Sequence, residues 1–196
     1  MVKNCLGEQR YMESLDRAFL HSQNEFTYPI IKGEQFCCVP TCLKMIFDSM
    51  GFSYSVDKIA SYFQIITPQE AGSDNDIGIH LSKNSFSDIL FRLQIPLSEE
   101  FIAINYINPD LFEETLTDLL QQKVHILCGY SYGSLFNNPS LMDIGHASIV
   151  SCIKGSSVGI INPGPDNYGL NYVDEYALYQ AIRYKHAGLW IFRSKE

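Results

Sequence analysis

The stretch from Gln35 to Gly51 has the sequence QFCCVPTCLKMIFDSMG. Its apolar residues recur at the three- and four-residue spacing of an amphipathic helix. These residues are Cys42, Leu43, Ile46, Phe47 and Met50. Gly51 stands where a helix C-cap glycine belongs, and Pro40 is tolerated only in the first turn of a helix. The pattern therefore predicts a helix that begins near Val39 and has Cys38 at its N-terminus.

The position of Cys38 at a helix N-terminus affects the pKa of its thiol. Unpaired backbone N–H groups and the positive end of the helix dipole stabilise an anion at a helix N-terminus, which lowers a cysteine pKa. The sequence thus predicts a thiolate nucleophile at Cys38. The alternative is a structural thiol, because free cysteine is among the most buried residue types.

Length and composition limit the kinds of protein this chain can be. Its 196 residues, 46% of them hydrophobic, predict one domain over 1–196 with a helical N-terminal extension over 1–25. The net charge of −8 and the few scattered Lys and Arg residues argue against a nucleic-acid partner. No apolar run reaches the length of a membrane span, and the first residues lack the apolar core of a signal peptide. We therefore expect a cytoplasmic protein, with export by a non-classical route left open; the sequence does not indicate an oligomeric state.

Six cysteines are present, and three of them lie close together before and within the predicted helix. They are Cys5, Cys37, Cys38, Cys42, Cys128 and Cys152. Without an export signal we expect reduced thiols, although Cys37 could be oxidised against Cys38 as a redox lock. A metal site at Cys38 and Cys42 with His146 or His125 is the rival interpretation. Because no second ligand pair completes a tetrahedral set, we expect neither a metal nor another cofactor.

The order of predicted elements gives the fold class. Helical periodicity dominates the first half, and β-branched and aromatic runs dominate the second. Helices are predicted from near Val39 to residue 50, over 9–22, 55–63 and 85–93 and from Asn108 on, strands over 101–105, 124–130, 146–153, 158–161 and 188–192, and a last helix over 173–184. Helices followed by an antiparallel sheet indicate an α+β protein in two layers.

A cysteine nucleophile needs an imidazole that accepts its proton and a third group that orients the imidazole. Of the five histidines, His146 follows Gly145 and begins a predicted strand. Asn162 ends the next strand, after a tight hairpin turn near Gly155. The start of one strand and the end of its antiparallel neighbour lie side by side, so the Asn162 amide oxygen can accept from His146.

These residues resemble a known family. The run Cys38-Val-Pro-Thr-Cys-Leu-Lys-Met resembles the Cys-Gly-Pro-Ala-x-Leu-x-Met helix of the double-glycine leader peptidases, which trim bacteriocin precursors. The Gly145-His-Ala-Ser strand, the hairpin and the strand that ends in Asn162-Pro are similar to that family's second block. The resemblance implies a papain-like fold with Cys38 as nucleophile, His146 as general base and acid, and Asn162 as the orienting residue.

Two positions differ from the family's pattern. The family's oxyanion-hole glutamine, six residues before the nucleophile, corresponds to Lys32 here, and Gln35 is the candidate that could replace it. The glycine that follows the family's cysteine is Val39. A lost oxyanion donor slows acyl transfer by about a hundredfold or more. A specialised enzyme is therefore one expectation.

Three functions remain open at this stage. The first is a peptidase or amidase that acts on a peptide or amide through a thioester. The second is an acyltransferase that passes the same acyl group to an amine, and the third is an inactive papain-like module that binds a peptide. The aromatic segment Tyr130–Phe136 and the acidic loop Glu70–Asp76 are expected to line or cover the cleft or to be ordinary surface loops.

Overall fold

The computed structural model describes residues 28–34, 36–63, 65–66, 78–79 and 85–195. The helix predicted over 9–22, the acidic loop Glu70–Asp76 and the candidate oxyanion residue Gln35 lie outside the described residues.

Helices and strands follow one another in the predicted order. The helices are α1 (Cys38–Ser49), α2 (Val56–Ala60), α3 (Phe86–Arg92), α4 (Phe112–Gln121), α5 (Tyr132–Leu135) and α6 (Glu175–Tyr184). The strands are β1 (Ile65–Ile66), β2 (Gly78–Ile79), β3 (Leu97–Ala103), β4 (His125–Ser131), β5 (Gly145–Lys154), β6 (Ser157–Asn162), β7 (Gly169–Asp174) and β8 (Gly188–Ser194). The fold is α+β, as the sequence predicts.

Six strands form one sheet in the order β3-β8-β4-β5-β6-β7, and β1 pairs with β2 in a separate two-stranded ladder. All neighbouring strands are antiparallel. The predicted hairpin is present: Lys154 pairs with Ser157, and Gly155 has a φ of 58° in the turn. A positive φ is accessible to glycine without a steric penalty, so this turn can be tight.

The predicted two-layer arrangement is wrong, because helices cover both faces of the sheet. The helices α1 to α3 pack on the face that carries Leu127 and Ile149, whereas α4 to α6 pack on the face that carries Ile126 and Val150. Every residue of β4 is buried. A strand buried on both faces loses the polar and apolar alternation that marks a solvent-facing sheet. The apolar run from Val124 onward is therefore the sequence signal for a three-layer structure.

The second half also contains a strand that the sequence analysis missed. Residues of β7 pair with β6 from Gly169, opposite Asn162, to Asp174, opposite Ser157. The helix predicted over 173–184 begins only at Glu175, after Asp174, whose side chain accepts from the Ala177 amide as an N-cap. Capping satisfies an otherwise unpaired amide in the first turn. The strand and the helix thus share a boundary at Asp174.

The helix α1 matches its prediction closely. It begins at Cys38, ends at Ser49 and is followed by Gly51 with a φ of 85°. The side chains of Cys42, Leu43 and Ile46 are fully buried against the sheet. Burial of this stripe fixes the helix on the sheet and so determines where its N-terminus lies.

No helix among the described residues combines the length and the hydropathy that a membrane span requires.

Candidate active site

Cys38 is the first residue of α1, and Cys37 precedes it as the N-cap. The Cys37 carbonyl accepts from the Thr41 amide at 2.9 Å and from the Thr41 hydroxyl at 2.7 Å, which anchors the first turn. The amides of Cys38 and Val39 belong to that first turn, where N–H groups have no acceptor within the helix. Cys38 retains partial solvent exposure. Its thiol therefore lies at the helix N-terminus, where it is partly exposed and interacts with backbone groups of Val39 and Ala147.

The predicted low pKa at Cys38 is wrong in this structure. Burial raises the pKa of the Cys38 thiol to about 11, and the backbone groups of Ala147 and Val39 oppose this rise only in part. Burial destabilises the thiolate more than the helix N-terminus stabilises it. The thiol is accordingly protonated at neutral pH.

His146 and Asn162 are brought together as the hairpin predicts. The pairing of Ile149 with Ile161 implies that Ser148 stands opposite Asn162, so His146, two residues earlier in β5, lies on the same face of the sheet as Asn162. The distance between His146 Nε2 and Asn162 Oδ1 is 2.8 Å. This hydrogen bond joins the second residue of β5 to the last residue of β6.

The orientation of the Asn162 amide is fixed by its other contacts. The Gly164 amide donates to Asn162 Oδ1 at 2.8 Å, and Asn162 Nδ2 donates to the Asp166 carbonyl at 3.1 Å. An amide oxygen only accepts, so His146 Nε2 carries the proton and donates. The neutral imidazole then has its lone pair on Nδ1.

Burial also sets the charge of His146. Its pKa is lowered to about 4, because burial disfavours the imidazolium more than the hydrogen bond to Asn162 favours it. Both the imidazole and the Cys38 thiol are therefore neutral at neutral pH. Burial therefore disfavours the charged form of both groups.

The contact between α1 and β5 is made beside His146. Cys42, one turn beyond Cys38, donates to the carbonyl of Ala147 at a sulfur–oxygen distance of 3.6 Å. Within the described part of the chain, no hydrogen bond joins Cys38 to His146, although the Cys38 thiol interacts with the backbone of Ala147. The helix N-terminus and the start of β5 are thus neighbours.

Two aromatic residues at this site were not singled out as partners of His146 by the sequence analysis. Tyr130 pairs with His146 across β4 and β5, and the ring centroids lie 5.6 Å apart. Tyr132 opens α5, and its ring centroid lies 5.3 Å from that of His146 in an edge-to-face arrangement. The sequence signal for these two contacts was the aromatic segment Tyr130–Phe136, which contains both tyrosines.

The glycine of that segment is packed closely against the chain that follows it. A Cβ at Gly133 would lie 2.4 Å from the backbone of Asn138, Leu141 and Met142. A side chain larger than hydrogen would therefore not fit at Gly133 without a shift of this turn. The segment lines the site beside His146.

The chain before α1 runs beside the loop that follows Asn162. The Gly33 amide donates to the Pro163 carbonyl at 2.8 Å, and the Tyr168 hydroxyl donates to the Ile30 carbonyl at 3.0 Å. Lys32, which occupies the position of the family's oxyanion glutamine, has its Cγ 3.8 Å from where a Gly164 Cβ would lie. The site therefore has one wall made by residues 28–34.

Among the described residues, no group of three or more His, Cys, Asp or Glu side chains is arranged to hold a metal ion. The rival interpretation was a metal site at Cys38 and Cys42 with a histidine, and no such cluster is present in this part of the chain.

Comparison with known proteins finds similarity in structure. No protein-family model and no curated protein sequence matches the chain. The peptidase domain of Streptococcus ComA, a bifunctional ABC transporter involved in quorum sensing, aligns with a TM-score of 0.54 and 15% identity, over 87% of this chain and 100% of that one. A protein of Bacillus anthracis described as a C39-like peptidase aligns at 0.57 and 15%, over 86% and 96%.

The chain has a C39-like, papain-like fold. A double-glycine-motif protease of an AMS/PCAT transporter, solved in complex with its leader peptide, shares the C39-like fold with a TM-score of 0.52 and 14% identity, over 87% of this chain and 94% of that one. The resemblance deduced from the cysteine helix and the His strand is thereby confirmed at the level of the fold.

Proposed function

We propose that the protein is a cysteine peptidase or amidase that uses Cys38, His146 and Asn162. The observation that carries this proposal is the 2.8 Å hydrogen bond from His146 to Asn162. His146 lies on β5, and α1, the helix that begins at Cys38, packs against this strand through Cys42. A cysteine peptidase needs a base beside its nucleophile and a residue that orients that base. The proposed substrate is a peptide or amide.

The reaction starts from a neutral pair. As Cys38 Sγ forms a bond to the substrate carbonyl carbon, the thiol proton moves to His146 Nδ1, and the imidazolium is stabilised by its Nε2 hydrogen bond to Asn162. The proton on Nδ1 then passes to the leaving amine as the carbon–nitrogen bond breaks, which leaves a thioester on Cys38. Water attacks the thioester with His146 as base, and the thiol is regenerated with release of a carboxylic acid.

The negative charge on the carbonyl oxygen needs hydrogen-bond donors. The first-turn amides of Cys38 and Val39 supply candidates, because they have no acceptor within α1. Gln35, the tentative oxyanion residue, precedes them by three residues. Lys32, beside the loop that follows Asn162, is a further candidate donor.

An acyltransferase is the second candidate function. The thioester on Cys38 would then be attacked by an amine, with His146 as the base that removes the amine proton. The neutral pair serves both outcomes equally well, so only the identity of the acceptor separates them. An inactive module that binds a peptide in the same cleft is the third.

The test uses a peptide library together with an electrophilic peptide acyloxymethyl ketone, read by intact-protein mass spectrometry. The unmodified protein should gain one inhibitor mass at Cys38 and cleave members of the library. The variants Cys38→Ser and His146→Ala should do neither, whereas Cys37→Ser, the matched neighbour, should retain both. Addition of a primary amine distinguishes transfer from hydrolysis by the mass of the product. Binding of peptides without adduct or cleavage would contradict the enzyme and favour the binding module.

A further inference from the structure

Two tyrosine rings contact the imidazole of His146, and they are held in different ways. Tyr130 is buried at 1% exposure, and its hydroxyl pairs with the Ser148 hydroxyl at 2.8 Å within the core. Tyr132 lies at the edge, at the start of α5, with 7% exposure. Both tyrosines are therefore buried, but Tyr130 is held within a strand, whereas Tyr132 is held at the start of α5.

The hydroxyl of Tyr132 is tied to the loop that Asn162 begins. Asn167 Nδ2 donates to the Tyr132 hydroxyl at 2.9 Å. Asn167 has a φ of 50°, a left-handed conformation that asparagine adopts more readily than most residues. Asp166, directly before Asn167, accepts from the Asn162 amide. The ring on one side of His146 and the amide on the other are thus held by adjacent residues of one loop.

The main chain of Tyr132 is anchored as well. Its amide donates to the Ile144 carbonyl at 2.9 Å, two residues before His146. The Cα position of Tyr132 is set by this bond, and the ring position is set by the Asn167 contact at its far end. Anchorage at both ends leaves the ring little rotational freedom against the imidazole.

We propose that Tyr132 is a positioning residue whose ring, held through Asn167, keeps the His146 imidazole turned with Nε2 toward Asn162 and Nδ1 toward the nucleophile. This inference rests on the proposed function, because the orientation of the imidazole matters only if His146 takes a proton from Cys38. An edge-to-face contact favours one ring orientation over a rotated one, since aromatic edges and faces carry opposite partial charge. The ring also excludes water from the hydrogen bond between His146 and Asn162, which strengthens that bond.

The burial that lowers the pKa of His146 to about 4 is consistent with such shielding. If the ring of Tyr132 is removed, water reaches the imidazole and the imidazolium becomes easier to form. If only its hydroxyl is removed, the ring stays but can tilt, and the imidazole becomes less ordered.

The test compares three variants with a matched control by NMR titration of the His146 imidazole, which requires no substrate. In Tyr132→Leu the His146 pKa should rise by about one unit or more toward its ordinary value. In Tyr132→Phe and Asn167→Ala the pKa should rise less, while the 15N shifts should indicate a mixture of the two neutral tautomers. Tyr179→Phe is the control, because Tyr179 is a buried tyrosine of the same core whose hydroxyl bonds to the Ile107 carbonyl at 3.2 Å, away from His146.

The outcomes separate this inference from the proposed function. An unchanged His146 pKa and a single unchanged tautomer in all three variants would overturn the positioning role. A protein that cleaves no peptide, yet shows these shifts, would retain the positioning role and lose the proposed peptidase function. If peptide cleavage is observed, Tyr132→Phe should lower kcat severalfold with little change in KM, since the ring acts through His146.

Discussion

His146 donates from Nε2 to Asn162 Oδ1 at 2.8 Å, and that same oxygen accepts from the Gly164 amide. Two donors on one oxygen, with Asn162 Nδ2 committed to the Asp166 carbonyl, leave the asparagine a single orientation. The tautomer of the imidazole therefore follows from the loop after β6. A general base whose tautomer is fixed before substrate arrives has no reorientation to make during the reaction.

Replacement of Asn162 tests this relationship directly. Asn162→Ala removes the acceptor of His146 Nε2 and of the Gly164 amide, and we expect peptide cleavage to slow by roughly ten- to hundredfold, because each unsatisfied buried group costs about 1–3 kcal/mol. The comparison variant Asn162→Asp keeps an oxygen toward His146 and should be much less impaired. Steady-state cleavage rates and urea unfolding of both variants are the measurements. Equal rates for Asn162→Ala and the unmodified protein would contradict the role assigned to Asn162.

Alkylation of Cys38 should report the neutral resting pair. Since burial raises the pKa of Cys38 to about 11, iodoacetamide labelling without substrate should be slow at pH 7 and rise continuously toward pH 11. The measurement is peptide mass spectrometry in a Cys37→Ser background, which leaves one thiol at this helix N-terminus. His146→Ala should change the profile little. A plateau of fast labelling from pH 5 upward, abolished by His146→Ala, would instead reveal a preformed thiolate–imidazolium pair.

Stability should fall in mild acid because of His125. This residue is 7% exposed, its Nδ1 lies 2.9 Å from the Tyr28 hydroxyl, and burial lowers its pKa to about 4. The unfolded chain binds the proton near pH 6.5, whereas the folded chain does not until about pH 4. The free energy of unfolding therefore decreases as the pH falls through this window, by about 3 kcal/mol at most from this one group.

The measurement for His125 is urea unfolding at several values between pH 4 and pH 7. The variant His125→Phe should be less stable at pH 7 but should show a shallower dependence on pH, by up to about one proton. An identical slope in the variant and the unmodified protein would mean that His125 titrates normally in the folded chain.

Gly133 should tolerate no side chain. In Gly133→Ala the new Cβ would lie 2.4 Å from three backbone atoms, so the turn after α5 must shift, and we expect a loss of about 1–3 kcal/mol in the free energy of unfolding. Gly145→Ala is the matched control on the other side of this turn, because its nearest neighbour would be the flexible end of Lys185 at 3.6 Å. Thermal unfolding of both variants provides the comparison, and similar midpoints would show that the turn can relax.

Much of the site could be predicted from local sequence. The helix from Cys38 was predictable because three- and four-residue apolar spacing, a first-turn proline and a terminal glycine all indicate the same element. The contact between His146 and Asn162 was predictable because a tight hairpin fixes the register of its two strands. By contrast, the edge strand from Gly169 to Asp174 was missed, since it is short and its Gly, Asn and Asp residues are typical of turns.

The second helical layer was missed for a different reason. Local periodicity reports that a segment is apolar, but it does not say which elements cover each side of it. Whether α4 and α6 share a face with α1 or take the opposite one depends on chain connections across the whole sheet. Only the completed sheet, with β4 buried on both sides, gives the answer.

By itself, the sequence determined which residues stand at the N-terminus of α1 and on the two strands of the hairpin, because helix periodicity and hairpin register are local properties of the chain. Only the tertiary structure decided the protonation of those residues. The pKa values of Cys38 and His146 are shifted mainly by burial, and burial arises from packing between segments distant in sequence, such as the contact of Tyr132 with the imidazole. A neutral thiol and a neutral imidazole are therefore consequences of packing, which no helix N-terminus or motif specifies alone.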